Sequence, residues 1–303
     1  MSRVWLWVSV FAIAAAACGH GGDKTDPATP AELTGEQRGR LAAAVSDARF
    51  KAGICVPKHR EVLLALGGES PMSPQVTDAL DRELTACEDW EVLADTLRAR
   101  HARAPSDQLL ERIAEAEIAA QRYDKAIDAV LPIAQRPAAT PAQAWLAGAA
   151  LYYAGRGAEA RPLIEKAEPS HTQQGDSEPL ELLGLIALDQ DRLPDARALF
   201  EKAIATSSTT TRARQGLART LARQGDTAKA EEWLVQARAL QEQQTASEQR
   251  KFRVSAMSHD VQAAIDAGQN ARAVQLLDEM IPIADGEQRT KLENFRASLA
   301  GKP

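Results

Sequence analysis

The chain has 303 residues, 45% of them hydrophobic and only 4% aromatic, with 59 alanines, 18 glycines, 15 prolines and three cysteines. That length allows one large domain or two ordinary ones. The alanine-rich, aromatic-poor mix favours closely packed helices over a β-sandwich or barrel, and it excludes collagen, a disulfide-dense miniprotein and a wholly disordered chain. A net charge of −6 and an isoelectric point near 5.5 give no general attraction to nucleic acid or anionic lipid, so no nucleic-acid partner is expected.

The first element is an address. After Arg3, residues 4–17 (VWLWVSVFAIAAAA) are almost wholly apolar and Cys18 follows at once. As a helix these fourteen residues would span about 21 Å, short of the ~30 Å hydrocarbon core, so residues 1–17 read as a signal peptide and not as a membrane span. The run Ala15-Ala16-Ala17-Cys18-Gly19 resembles the lipobox of bacterial lipoproteins, although the leucine usual three residues before the cysteine is missing. The resemblance implies that Cys18 is lipidated and becomes the first mature residue. Ordinary secretory cleavage, with Cys18 left as a thiol, is the other reading. Gly19 stands where an aspartate would retain an enterobacterial lipoprotein in the inner membrane, which implies the outer membrane and the periplasmic face. Removal of residues 1–17 takes Arg3 and no acid, leaving 35 basic and 42 acidic side chains, net −7.

Residues 18–35 (CGHGGDKTDPATPAELTG) have no apolar period and read as a tether. Residues 36–105 alternate helical runs with breaks at Gly67-Gly68 and Ser73-Pro74, the serine placed to cap a helix that begins at the proline. Cys55 and Cys87 lie in this region. With Cys18 lipidated they form an even pair in an oxidising compartment and a disulfide is expected, worth roughly 3–4 kcal/mol for a loop of that size; two buried reduced thiols are the alternative.

From Ser106 a repeat dominates. RYDKAIDAVLPIA, GAEARPLIEKA, RLPDARALFEKA, DTAKAEEWLVQA and QNARAVQLLDEM align on Ala126, Ala160, Ala196, Ala230 and Ala273, spaced by 34, 36, 34 and 43 residues. Twelve positions upstream of the first four stand Ala114, Gly148, Gly184 and Ala218, all small. Four downstream come Val130, Ile164, Phe200, Leu234 and Leu277, and seven downstream Ile133, Ala167, Ala203, Ala237 and Met280. Two helices per unit explain the pattern: small residues mark close helix contacts and large ones fill the seam to the next unit. Gly155, Gly225 and Gly268 fall in the turns between paired helices.

This pattern resembles the tetratricopeptide repeat over about residues 107–282. The resemblance implies an all-α fold, an α-solenoid of helical hairpins spanning residues 106–285, beside the smaller N-terminal helical region. Trp90, Leu93 and Pro105 mark a weaker sixth unit at about 73–105, with Leu93 large where the family has alanine. The 43-residue step implies an elongated helix through ARALQEQQTASEQRKFRV, and residues 286–303 hold the terminal capping helix and tail.

Little else carries chemistry. His20, His59, His101, His171 and His259 stand alone, with no metal-ligand spacing, and read as solvated or capping; no metal and no cofactor is expected. Gly155-Arg-Gly157-Ala-Glu-Ala160 matches a dinucleotide fingerprint but follows a helix, so it reads as a repeat turn. The basic runs 98–103 (RARHAR) and 249–253 (QRKFR) read as solvated helix faces. No nucleophile motif is present, and the chain is expected not to be an enzyme.

The family resemblance implies a partner-binding groove lined by the first helix of each unit. It projects to Glu111 and Glu115, then Trp145, Tyr152 and Tyr153, then Glu181 and Asp189, then Arg212, Arg219 and Arg223. The expectation is a non-catalytic, lipid-anchored scaffold that binds a protein or peptide in the bacterial envelope, with a role in envelope assembly. A small-ligand or glycan binder using the aromatic residues, and an enzyme within the N-terminal region, are the alternatives.

Overall fold

The computed structural model describes residues 32–46, 55–71, 73–284 and 286–300; the leader 1–17, Cys18 and most of the tether lie outside them. Among the described residues there is no strand, and fourteen α-helices follow one another. None of these helices is long and apolar enough to cross a membrane. The chain divides into two compact units between Ile186 and Ala187.

The first unit opens with α1 (Gly35–Ser46), α2 (Pro57–Glu69), α3 (Pro74–Ala86) and α4 (Trp90–Arg103). Pro57 and Pro74 sit in first turns, where their missing N–H is not needed. Ser73 precedes Pro74 as expected, but its side chain makes no capping hydrogen bond. The tether expected to reach residue 35 stops short, because Leu33 is buried in the core with Leu63, Leu66, Val76, Leu84 and Leu97, and Thr34 and Gln37 exchange bonds as a capping box. Cys55 and Cys87 are joined in a disulfide, with Cα atoms 4.6 Å apart, so the start of α2 is tied to the end of α3.

Charge also knits this region. Buried Asp81 on α3 meets Arg100 at 2.5 Å and Arg112 at 2.7 Å; buried Glu117 meets Arg122 at 2.5 Å and also Arg98. The basic run 98–103 is therefore not simply a solvated face: Arg98 and Arg100 lie against buried carboxylates. Pairing is what allows such acids inside, since an isolated buried charge costs several kcal/mol.

Next come α5 (Asp107–Ala119), α6 (Tyr123–Ala134), α7 (Pro141–Tyr153), α8 (Gly157–Gln173) and α9 (Glu178–Asp189), whose last residues cross into the second unit. The second unit holds α10 (Leu193–Thr206), α11 (Thr211–Arg223), α12 (Thr227–Asp266), α13 (Asn270–Met280) and α14 (Gly286–Ala300). The long α12, 40 residues, serves as second helix of one hairpin and first helix of the next.

One turn recurs inside these hairpins. Glu88, Gln121, Gly155, Asp191, Gly225 and Gly268 all have positive φ, from 55° to 89°. The following N–H reaches back five residues in each case, as from Asp89 to the Leu84 carbonyl and from Arg156 to that of Leu151, which is the Schellman closure of a helix end. The three glycines suit this left-handed conformation, and three other residues adopt it against their preference. Glu88 shows the same turn between α3 and α4, where the sequence offered only a degenerate unit. Gly155 lies in such a turn, preceded by helix, so the fingerprint-like segment is repeat geometry.

The aligned small residues are core residues: Ala114, Ala126, Ala160, Ala196 and Ala273 have no accessible surface, and neither have Val130, Ile164 and Phe200. Space explains why they are small. A Cβ on Gly148 would lie 2.6 Å from Cγ1 of Ile164, and one on Gly216 would lie 2.4 Å from two ring atoms of Phe200.

Candidate functional site

In the first unit, α7 carries the aromatic residues. Its N-terminus is a capping box: Thr140 Oγ1 accepts from the Gln143 N–H, and Gln143 Oε1 accepts from the Thr140 N–H. Gln143 also donates to Glu111 at 2.7 Å, so this projected groove residue is half-buried and engaged by the neighbouring repeat. Glu115, one turn further along α5, keeps part of its surface in solvent. Desolvation by the surrounding protein raises its pKa, opposed by Arg112 and reinforced by Glu111.

The three aromatics do not form one patch. Tyr152 and Tyr153 meet edge to face at 5.4 Å, and Tyr153 stacks on Tyr123 of α6 at 5.6 Å. All three tyrosines are half-buried, and the Tyr153 hydroxyl donates to Glu178 at 3.3 Å. Together they make an amphipathic ledge, with ring faces partly in solvent and a fixed hydroxyl. Trp145 turns instead to His171 at the end of α8, with ring centroids 5.0 Å apart. His171 Nδ1 lies 2.6 Å from Asp176 Oδ2. Burial pushes the Asp176 carboxyl up, but the His171 bond and the Glu178 N–H outweigh it and hold it below its usual range.

Tyr123 and His171 were missing from the projection. Tyr123 begins a second helix, a position outside the first-helix rule, and His171 was read as solvated or capping. Glu181 is a correction of another kind: it is buried and accepts from the Ser177 hydroxyl at 2.7 Å, so it secures the start of α9 and lines no open surface.

In the second unit Asp189 is exposed and Arg212 half-buried. Arg223 was projected into an arginine row, but its guanidinium donates to the Leu188 carbonyl and to Asp191, both at 2.8 Å. It closes the C-terminal end of α9, where cations suit the unsatisfied carbonyls. Arg219, one turn earlier, is exposed and carries the cationic character of that face.

Among the described residues, the N-terminal region contains one cluster with ligand-type atoms. Cys55, Glu83 and Cys87 lie within 4.8 Å of one another. Both sulfurs are bonded to each other, and Glu83 Oε1 accepts from the Val56 N–H at 2.5 Å. What this cluster then offers is a single occupied carboxylate, a poor metal site, and two sulfurs that are not free thiolates.

Two family models, both described as tetratricopeptide repeat, match residues 146–210 and 187–249. No curated protein matches the chain. Among solved structures, a MamA fragment (41-end) from Desulfovibrio magneticus RS-1 superposes with a TM-score of 0.50 at 16% identity, covering 56% of this chain and 96% of that one. PilF of Pseudomonas aeruginosa gives 0.50 at 13% identity, covering 67% and 91%. At such identities the likeness is one of fold.

Proposed function

The chain is a tetratricopeptide-repeat protein, and on that premise we propose that it is a lipid-anchored scaffold of the bacterial cell envelope, held through Cys18 at the outer membrane and facing the periplasm. Repeats of this kind serve protein–protein interaction, and stacked hairpins present a surface formed before the partner arrives, so little ordering entropy is lost on binding. The observation that carries the reading is the Tyr123–Tyr152–Tyr153 ledge beside Glu178. Such rings offer large, stiff contact area at low entropic cost, the composition favoured where proteins meet. Arg219 and Asp189 on the second unit add exposed charge that steers an encounter. A role in envelope assembly follows from the combination of anchor and scaffold.

Two measurements test the proposal. Cys18→Ser should move the protein from the membrane to the soluble periplasmic fraction, and unchanged fractionation refutes the anchor. Crosslinking in intact cells should capture one partner with the native chain and lose it with Tyr152→Ala at unaltered helicity; capture by that variant at native yield removes the ledge from the interface.

A further inference from the structure

The seam between the fourth and fifth repeats is broken within each chain. In three earlier repeats the large residue four positions after the central alanine is fully buried, and Phe200 is covered by Gly216 on the first helix of the next repeat. Leu234 holds the same position and is only half-buried. The cause is α12, which runs on as helix where the other units turn. Gln244 pins this extension, donating to the Thr209 carbonyl at 2.9 Å and accepting from the Thr211 hydroxyl at 3.2 Å. The fifth repeat therefore starts further along the same rod: Leu234 and Phe252 are 18 residues apart, about 27 Å of helix.

The other half of the seam is open too. The last hairpin presents a groove lined by Phe252, Ala256, Met257 and Leu276, with Arg253, Asp260, Arg272 and Glu279 at its edge. Phe252 is 74% exposed, against full burial for Phe200. Leu234, Arg238, Gln241, Thr245, Gln249, Phe252 and Ala256 follow one another by three or four residues and so share one face of α12. The face is symmetric about Thr245, with Leu234 and Ala256 eleven residues to either side and Arg238 and Phe252 seven.

We propose that two copies of the chain exchange their last hairpins. The two α12 helices pair antiparallel about a two-fold axis near Thr245, and the groove of each copy receives the Leu234 face of the other. This register sets Leu234 opposite Ala256 and Arg238 opposite the Phe252 ring, a cation on an aromatic face. Charge is balanced at the groove itself, where Arg253 and Arg272 stand with Asp260 and Glu279, so the contact rests on the fit of the apolar faces. Thr245, Ala246 and Ser247 are small and let the helices approach at the axis. The two surfaces fit because they are the halves of one repeat seam, which a straight helix keeps apart in a single chain. The contact is self-complementary and closes as a dimer.

The test uses the purified full-length chain in density-matched detergent. Sedimentation equilibrium should give about twice the mass of one chain. Thr245→Cys should crosslink to a dimer with a short bismaleimide while Ala222→Cys does not, and Phe252→Glu should raise the dimer dissociation constant at least tenfold. A monomer at 100 µM (roughly the upper range of such runs), or a dimer that Thr245→Cys fails to crosslink, overturns the proposal.

Discussion

Gly216→Ala is the sharpest test of how the repeats pack. In an ordinary helix interior the change stabilises by about 1 kcal/mol, because alanine loses less backbone freedom than glycine. Here the new Cβ would lie 2.4 Å from Cε1 and Cζ of Phe200 and 2.8 Å from Cε2. The ring is fully buried, so it cannot swing out into solvent without losing its own burial. Overpacking of this kind costs about 1–3 kcal/mol, and contacts this short belong at the upper end, so the net result is a loss of about 1–2 kcal/mol. Phe200→Leu removes all three ring atoms concerned. In that background Gly216→Ala should stabilise, giving a coupling of about 2–3 kcal/mol across the double-mutant cycle. Repeat arrays need not unfold in one step, so the assay is native-state hydrogen exchange of amides in α10 and α11. Stabilisation by Gly216→Ala in the wild-type background, or additivity with Phe200→Leu, would show that the α10–α11 contact is not the close approach described.

Gln121 has φ 59° in the turn between α5 and α6 with no glycine's freedom, so Gln121→Gly should raise stability by about 0.5–1 kcal/mol in urea unfolding, whereas Gly155→Ala should lower it by a similar amount. Cys55→Ser should cost about 3–4 kcal/mol for a closed loop of 32 residues, with protection lost first around α2 and α3. Glu115 has a raised pKa in the fold, so its unfolded form ionises first and the native state loses stability as pH rises from about 4.5 through the folded value. Glu115→Gln should therefore match wild type near pH 4 and exceed it at pH 7, and equal urea midpoints at both values would contradict the shift.

The repeat was legible because its cause is steric. Ala126, Ala160 and Ala196 are small where helices touch, and that constraint writes itself into the spacing. The long helix was legible from the 43-residue step for the same reason. The hairpin of α3 and α4 was legible only as a weaker unit at about 73–105, because its turn uses Glu88 and its contact position holds Leu93, neither of which marks a repeat. The site was read less well, since a face projected from register ignores where a long side chain goes. Glu181 bends to Ser177, Arg223 closes α9, and Arg98 and Arg100 turn inward to acids that lie elsewhere in sequence. Charges find partners across helices, and a single helix period carries no record of that.

Leu33 has a bearing on reach. Because it is fixed in the core, only the fifteen peptide links from Cys18 to Leu33 separate an acylated cysteine from the first packed residue. Whatever path those links take, covalent geometry limits them to about 50 Å. A copy anchored at Cys18 as proposed is thereby held with Leu33 within that distance of the bilayer, however far the helices beyond it extend.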